Sequence, residues 1–429
     1  MDVPSPPPTT FAALGVPAPL VAVLADRGIH EPFAIQARAM PDALAGRDVL
    51  GRAQTGSGKT LAFGLPMLAR LSEQRDDSQR RRAKAPRGLI LVPTRELAQQ
   101  VAEVLVPLGQ ALRISVMTVY GGVALSRQIE RLSRGIDIVV ATPGRLIDLM
   151  DRGTCTLDDV SVTVLDEADY MADLGFLPSV TRILDATPAG QRLLFSATLD
   201  RGVARLVSNY LTDPALHAIA PVATATDADH QVFVSPASDK LAIATEIGGR
   251  QGRTLFFVRT KHGADRLARQ LTGAGVDAAA IHGNLNQNQR QRALDAFARG
   301  NPRVLVATDV AARGIHVQDI ELVVHYDPPE DHKDYLHRSG RTGRAGATGT
   351  IVALVDPSQV KAVGRMHDVA GVNSVRHHVE PGHVAVTRLA ESGTPIVPVA
   401  APPETSRRQH EGGTGHRRRT SARPARRGR

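Results

Sequence analysis

The sequence predicts an α/β protein of two tandem domains, each a parallel sheet flanked by helices, followed by a disordered basic C-terminal tail. Three observations carry that expectation. Short aliphatic or β-branched runs alternate with longer stretches of helical period, the signature of strands buried between helices. The alternation halts at a polar stretch near residues 221–229 and then starts again. Beyond residue 372 the pattern gives way to Pro, Ser, Gly, Thr and Arg, which bury too little apolar surface to fold.

The expected organisation is a disordered N-terminus (1–8), a first domain (9–217), a linker (218–228), a second domain (229–372) and a disordered Arg-rich tail (373–429). In the first domain the runs at 48–53, 89–94, 137–143, 162–167 and 193–198 read as strands. After the first of them Leu61, Leu65, Leu68 and Leu71 recur at helical spacing. The second domain offers strands at 254–260, 278–283, 303–309, 322–327 and 350–356. No repeat relates the halves, yet they share one rhythm, and two such lobes leave a cleft between them where ligands bind. The charged segment 72–88 reads as a solvated loop.

A chain of 429 residues with 42% hydrophobic content is long enough for two cores. Its one cysteine, Cys155, excludes an internal disulfide or a paired-cysteine zinc site and fits a reducing cytosol. The opening MDVPSPPPTT leads into no apolar run, and no stretch reaches membrane-spanning length, so a soluble, cytoplasmic protein is expected. Residues 406–429 hold nine arginines against Glu411 and carry +8 of the net +9 charge. The basic character therefore belongs to a tail, and it predicts a polyanionic partner bound through counterion release.

AQTGSGKT at 53–60 follows a strand and opens a helix, the setting a phosphate-binding loop requires. Ala53, Gln54, Thr55, Gly56, Ser57 and Gly58 supply the loop, whose glycines let backbone N–H groups point at phosphate oxygens. Lys59 is placed to reach the β- and γ-phosphates, and Thr60 to offer a hydroxyl to Mg²⁺. VTVLDEAD at 162–169 ends a strand on adjacent acids at the same sheet edge. Asp166 suits Mg²⁺, which keeps much of its water, and Glu167 suits the orientation and deprotonation of an attacking water.

HRSGRTGRAG at 337–346 is basic, glycine-rich and distant from the loop. Arg341 and Arg344 are spaced to share one helical face or turn. They suit either transition-state charge on a transferred phosphoryl group or nucleic-acid phosphates, and spacing alone leaves both uses open.

With these motifs in order, the chain resembles the DEAD-box RNA helicases, a superfamily 2 group with two RecA-like domains, over about residues 11–346. The tetrad stands at Asp166–Asp169, and SAT at Ser196–Thr198. GIHEPFAIQ at 28–36 places Gln36 in the adenine-reading position, with Phe11 as the upstream aromatic. The resemblance implies RNA contacts from Thr94 and Arg95, Gly121 and Gly122, and Thr142 and Arg145 in the first lobe. In the second lobe it implies contacts from Arg259, Gly283, Gln287 and Thr308. It implies interlobe coupling by Asp169, Ser196, Thr198, Asp309, Arg313 and His337. Hydroxyls, small residues and arginines suit a sugar–phosphate track rather than base edges. Two positions depart from the family pattern: His316 stands where an aspartate near the ribose is usual, and Phe33 replaces a small hydroxyl residue.

The implied activity is ATP- and Mg²⁺-dependent, RNA-stimulated hydrolysis coupled to local, non-processive unwinding of short duplexes or to remodelling of RNA–protein complexes. An RNA clamp with feeble hydrolysis and a DNA-directed translocase are the competing expectations.

Overall fold

A computed structural model describes residues 10–53, 56–74, 82–219, 228–312, 320–343 and 349–394. The N-terminus, most of the expected linker and the arginine-rich stretch from 406 lie outside them.

In the first lobe the strands are β1 (Val49–Arg52), β2 (Gly88–Leu91), β3 (Val116–Val119), β4 (Ile138–Ala141), β5 (Val162–Asp166), β6 (Gln191–Ser196) and β7 (Ala215–Ala218). The second lobe carries β8 (Asp229–Val234), β9 (Arg253–Phe257), β10 (Ala278–Ile281), β11 (Val304–Ala307), β12 (Ile320–His325), β13 (Thr350–Val355) and β14 (Ser374–His378). The sheet orders are β3-β4-β2-β5-β6-β1-β7 and β10-β11-β9-β12-β13-β8-β14. Counted from each lobe's first strand these are the same permutation. The shared rhythm of the two halves is therefore a shared topology. Every pairing is parallel, as expected for strands joined by helical crossovers.

Period-two alternation sends successive residues of each central strand to opposite cores. In β2, Ile90 packs on one side with Leu68, Val140 and Phe195, while Leu89 and Leu91 pack on the other with Leu146 and Met171. In β9, Leu255 and Phe257 join one core and Phe256 the opposite one. Both faces are thus covered, which is why the strands read as unbroken apolar runs.

The expected end of the second domain at 372 is corrected by the structure. β14 pairs in parallel with β8, and a helix, Val384–Ala390, follows it. Two acids anchor the segment: Glu246 accepts from Gly382 N (2.9 Å) and Thr387 Oγ1 (2.8 Å), and Glu321 accepts from Thr394 N (3.2 Å). Val379, Val386 and Leu389 of the same segment are buried in the core, so packing, backbone pairing and these bonds together hold it.

Candidate active site and nucleic-acid interface

In a parallel sheet with helical crossovers every helix starts at the C-terminal edge of the strands. Backbone N–H groups and the positive ends of helix dipoles therefore line that one edge. The register assembles the rest. β6 lies between β1 and β5, with Arg52 beside Ser196 and Phe195 beside Asp166. Two strand spacings of about 4.8 Å bring the end of β1 to within about 10 Å of the end of β5. The phosphate loop, the SAT segment and the DEAD tetrad therefore meet.

Gly58 caps the helix Lys59–Glu73 in the left-handed region (φ 87°), and Gly56 shares that conformation (φ 90°). Side chains rarely adopt it, so glycine is required for this tight entry. Lys59 is 5% exposed and its Nζ donates to Glu167 Oε1 at 2.8 Å, with Asp166 Oδ1 at 4.0 Å. Burial opposes the lysine's charge, but Glu167 and then Asp166 outweigh it and raise its pKa. Burial pushes the Asp166 carboxyl up to about 7, against the pull of Lys59. Glu167 itself is left-handed (φ 54°), unusual for a residue with a side chain and a form of strain that gathers at functional sites. Thr60 is half-buried in the first turn of the same helix. Its hydroxyl and the Asp166 carboxylate are hard oxygen donors that fit Mg²⁺.

Asp169 connects the tetrad to SAT. Its Oδ2 accepts from Thr198 N (2.9 Å) and Thr198 Oγ1 (3.0 Å), while its N–H donates to Ser196 Oγ (3.2 Å). Just beyond, Asp200 Oδ2 meets Lys333 Nζ of the second lobe at 3.1 Å. Burial alone would raise the Asp200 carboxyl; bonds from Val203 N and Lys333 hold it below the usual range. A second bridge joins the lobes where Arg290 Nη1 stands 3.0 Å from Glu96 Oε1, both side chains buried.

At the nucleotide-facing corner Gln36 is fully engaged with its own lobe. Its Oε1 accepts from Phe33 N (2.8 Å) and its Nε2 donates to Gly58 O (2.9 Å). Ala53 is buried and donates its N–H to Ser196 O (3.1 Å). Phe11, expected at the ATP site as the upstream aromatic, is a core residue with a ring only 1% exposed. The turn after Thr10 folds it inward among Val16, Leu20 and Met40.

The expected RNA contacts follow strands β2, β3 and β4 in one lobe and β9, β10 and β11 in the other, the same three positions of each sheet. Thr94 caps the helix Arg95–Ala111 through Leu97 N. Gly122 (φ 84°) lies so near Arg95 that a Cβ there would fall 2.0 Å from its Nη1. Arg145 donates to Val123 O (3.3 Å), so Arg95, Gly122 and Arg145 converge; Gly121 precedes them in the same turn, and Thr142 caps the helix Pro143–Asp151. In the second lobe Arg259 bonds Asp327 through its backbone N–H, Gly283 lies against Lys261, and Thr308 is buried before Asp309.

Both oxygens of Asp309, expected among the interlobe coupling residues, accept from Arg338 of the same lobe at 2.5 and 2.7 Å. Arg338 also donates to Asp327 O and lies over the Phe257 ring. His337 is half-buried, and its carbonyl accepts from the Nε of the buried Arg341 (3.3 Å). Gln54, Thr55, Arg313, His316 and Arg344 lie outside the described residues, as does the side chain of Gln287.

Comparison with known proteins follows the same lines. The DEAD/DEAH box helicase model matches residues 33–206, and the helicase conserved C-terminal domain model matches 239–346. The RNA helicase CrhR of Synechocystis is 43% identical over 81% of this chain and 70% of its own length. The chain belongs to the DEAD-box RNA helicases. Another relative of this DEAD-box chain, DEAD-box ATP-dependent RNA helicase 3B, chloroplastic, of Zea mays, is 42% identical over 85% of the chain but only 49% of that protein. The chain thus spans about half the length of that relative. Among solved structures, Saccharomyces cerevisiae Dbp5 bound to RNA and ADP BeF3 superposes with a TM-score of 0.75 at 28% identity, covering 89% of this chain and all of the other. The two sheets are therefore the tandem RecA-like domains of the family.

Sequence reading missed Glu96, Asp200, Arg290, Lys333 and Arg338. Glu96 and Arg338 sit inside motifs singled out for their neighbours. Nothing local marks the partner of either interlobe pair, because each pairing exists only once two domains fold and meet.

Proposed function

We propose that this chain is an RNA-stimulated ATPase whose lobes close on ATP and RNA to separate short duplexes or remodel RNA–protein complexes. The observation that carries the reading is the buried Lys59–Glu167–Asp166 cluster at the shared strand edge, linked through Asp169, Thr198 and Asp200 to the second lobe.

The Lys59 ammonium donates to the Glu167 carboxylate, so each offsets the other's charge. Incoming β- and γ-phosphates offer the ammonium a stronger anionic partner, so Lys59 turns to them and Glu167 is released as a base. Water attacks the γ-phosphorus, its proton passes to Glu167, and the bond to the β-bridging oxygen breaks. Thr60 and Asp166 would hold Mg²⁺, which would offset the charge of the phosphate oxygens. Gln36 turns its amide to the adenine edge, and Arg341 and Arg344 complete the positive surround from the second lobe. His316 stands in sequence where the family's ribose-side aspartate is usual. Arg313 and His337 carry closure toward the nucleotide. Arg95, Gly121, Gly122, Thr142 and Arg145 with Arg259, Gly283, Gln287 and Thr308 hold the sugar–phosphate backbone without reading sequence.

Among the described residues no helix is long and apolar enough to cross a membrane. The free, buried Cys155 fits a reducing compartment such as the cytoplasm.

Steady-state phosphate release with and without structured RNA tests the reading. RNA is expected to stimulate hydrolysis, DNA of the same sequence to do so poorly, and Glu167→Gln to remove the stimulated rate by 10²-fold or more, on the order of general-base contributions. A stimulated rate that survives Glu167→Gln overturns the assignment.

A further inference from the structure

Phe33 is the one exposed Phe or Tyr ring among the described residues, at 60%. It stands immediately before the helix Ala34–Leu44, and its ring overhangs the phosphate loop: a Cβ built on Gly58 would fall 2.6 Å from Phe33 Cδ2. The backbone that carries the ring is tied to the loop. The Phe33 N–H donates to Gln36 Oε1 at 2.8 Å, and Gln36 Nε2 donates to the Gly58 carbonyl at 2.9 Å, so backbone, reader and loop form one hydrogen-bonded unit. The ring is thus an apolar face open to solvent directly beside the phosphate cradle. The upstream aromatic expected at the ATP site, Phe11, is in the core and has almost no open face.

We propose that Phe33 is an affinity-determining wall of the base subsite, stacking on the purine of a bound nucleoside di- or triphosphate. The inference rests on the nucleotide-binding reading of the same site. Its chemistry is direct. Phosphates anchored at Gly56–Lys59 leave the base to extend toward Gln36, and the adjacent phenyl ring supplies a flat apolar face. Stacking accepts any base, because every base has a π face, so Phe33 contributes affinity while Gln36 selects the edge.

The chain contains no tryptophan, so Phe33→Trp places a single indole at the site. Titration with ADP is expected to quench its emission, whereas tripolyphosphate, which has no base, is expected to leave the emission unchanged. Phe33→Ala is expected to weaken ADP binding roughly tenfold, the scale of one lost base–aromatic stack, with tripolyphosphate binding unchanged. Equal ADP affinity in Phe33→Ala and the unaltered protein overturns the stack while leaving nucleotide binding intact. Parallel loss of ADP and tripolyphosphate also overturns it, because Phe33 would then shape the loop instead. Failure of the unaltered protein to bind either probe overturns the nucleotide reading and the stack together.

Discussion

Replacing Arg290 with alanine should cripple closure of the lobes rather than the chemistry within them. In the structure Arg290 and Glu96 are 11% and 5% exposed and 3.0 Å apart, one from each lobe. Two unit charges at that separation attract by about 5 kcal/mol at an effective dielectric constant of about 20. Much of that attraction offsets the cost of drying both groups, so the intact pair contributes far less. Truncating one partner is different: it leaves a carboxylate buried and uncompensated, which costs about 3–5 kcal/mol. With the lobes apart Glu96 is hydrated, so the loss falls on the closed form. Closed-state population should fall by 10²-fold or more, since each 1.4 kcal/mol is about a factor of ten. Fluorescence transfer between dyes at Ser133→Cys and Ser238→Cys, both exposed and one in each lobe, reads closure directly. Arg290→Ala should need far higher RNA and ATP concentrations to reach the high-transfer state. Removing both charges, with Glu96→Gln and Arg290→Gln, should recover most of it. Closure by Arg290→Ala within about threefold of the unaltered chain would show that this bridge does not hold the lobes.

Other outcomes follow from the same coordinates. Gly122→Ala forces a side chain into a left-handed position and onto Arg95, so RNA affinity at fixed salt should drop roughly tenfold or more; unchanged binding would separate this turn from the RNA track. Burial, then His230, lowers His367 to about 4, so the folded state binds fewer protons than the unfolded one. Stability is then full above about pH 6.5 and falls as pH drops toward 4, by about 3 kcal/mol in all at 1.36 kcal/mol per pKa unit. Melting temperatures between pH 7.5 and 5 should show that slope. Buried His325, lowered further by desolvation and then Arg338, adds a slope of the same sign. His367→Gln should therefore lessen the slope rather than abolish it, and an identical slope in the variant would move the effect elsewhere. Burial pushes the Cys155 thiol up to about 12, so a thiol-exchange reagent should label it only after denaturation. Stoichiometric labelling of the folded chain would contradict the packing.

The sequence announced the nucleotide corner because its chemistry is local. A glycine-framed lysine after a strand and paired acids after another are legible from spacing, and the register of β1, β6 and β5 explains why they meet. Strand ends proved shorter than the apolar runs: 89–94 was read as strand, whereas β2 stops at Leu91 and Thr94 already caps a helix. Edge strands were less visible. β7 (ALHA) and β14 (SVRHH) carry little apolar alternation, because an edge is half solvated and held largely by its ladder to one neighbour. Phe11 misled for a different reason. Position relative to a motif says nothing of which way a ring folds, and here the turn after Thr10 turns it into the core.

The outermost strand β14 bears on how this molecule can be divided. Cutting the chain at 372, where composition alone suggests stopping, would strip β8 of its neighbour and free Glu246 and Glu321 from the groups they hold. The exposed backbone row would be a template for another copy to add a strand, so such a fragment should self-associate where one ending after 394 stays monodisperse. Recombinant halves of this enzyme family member are best trimmed at that later position.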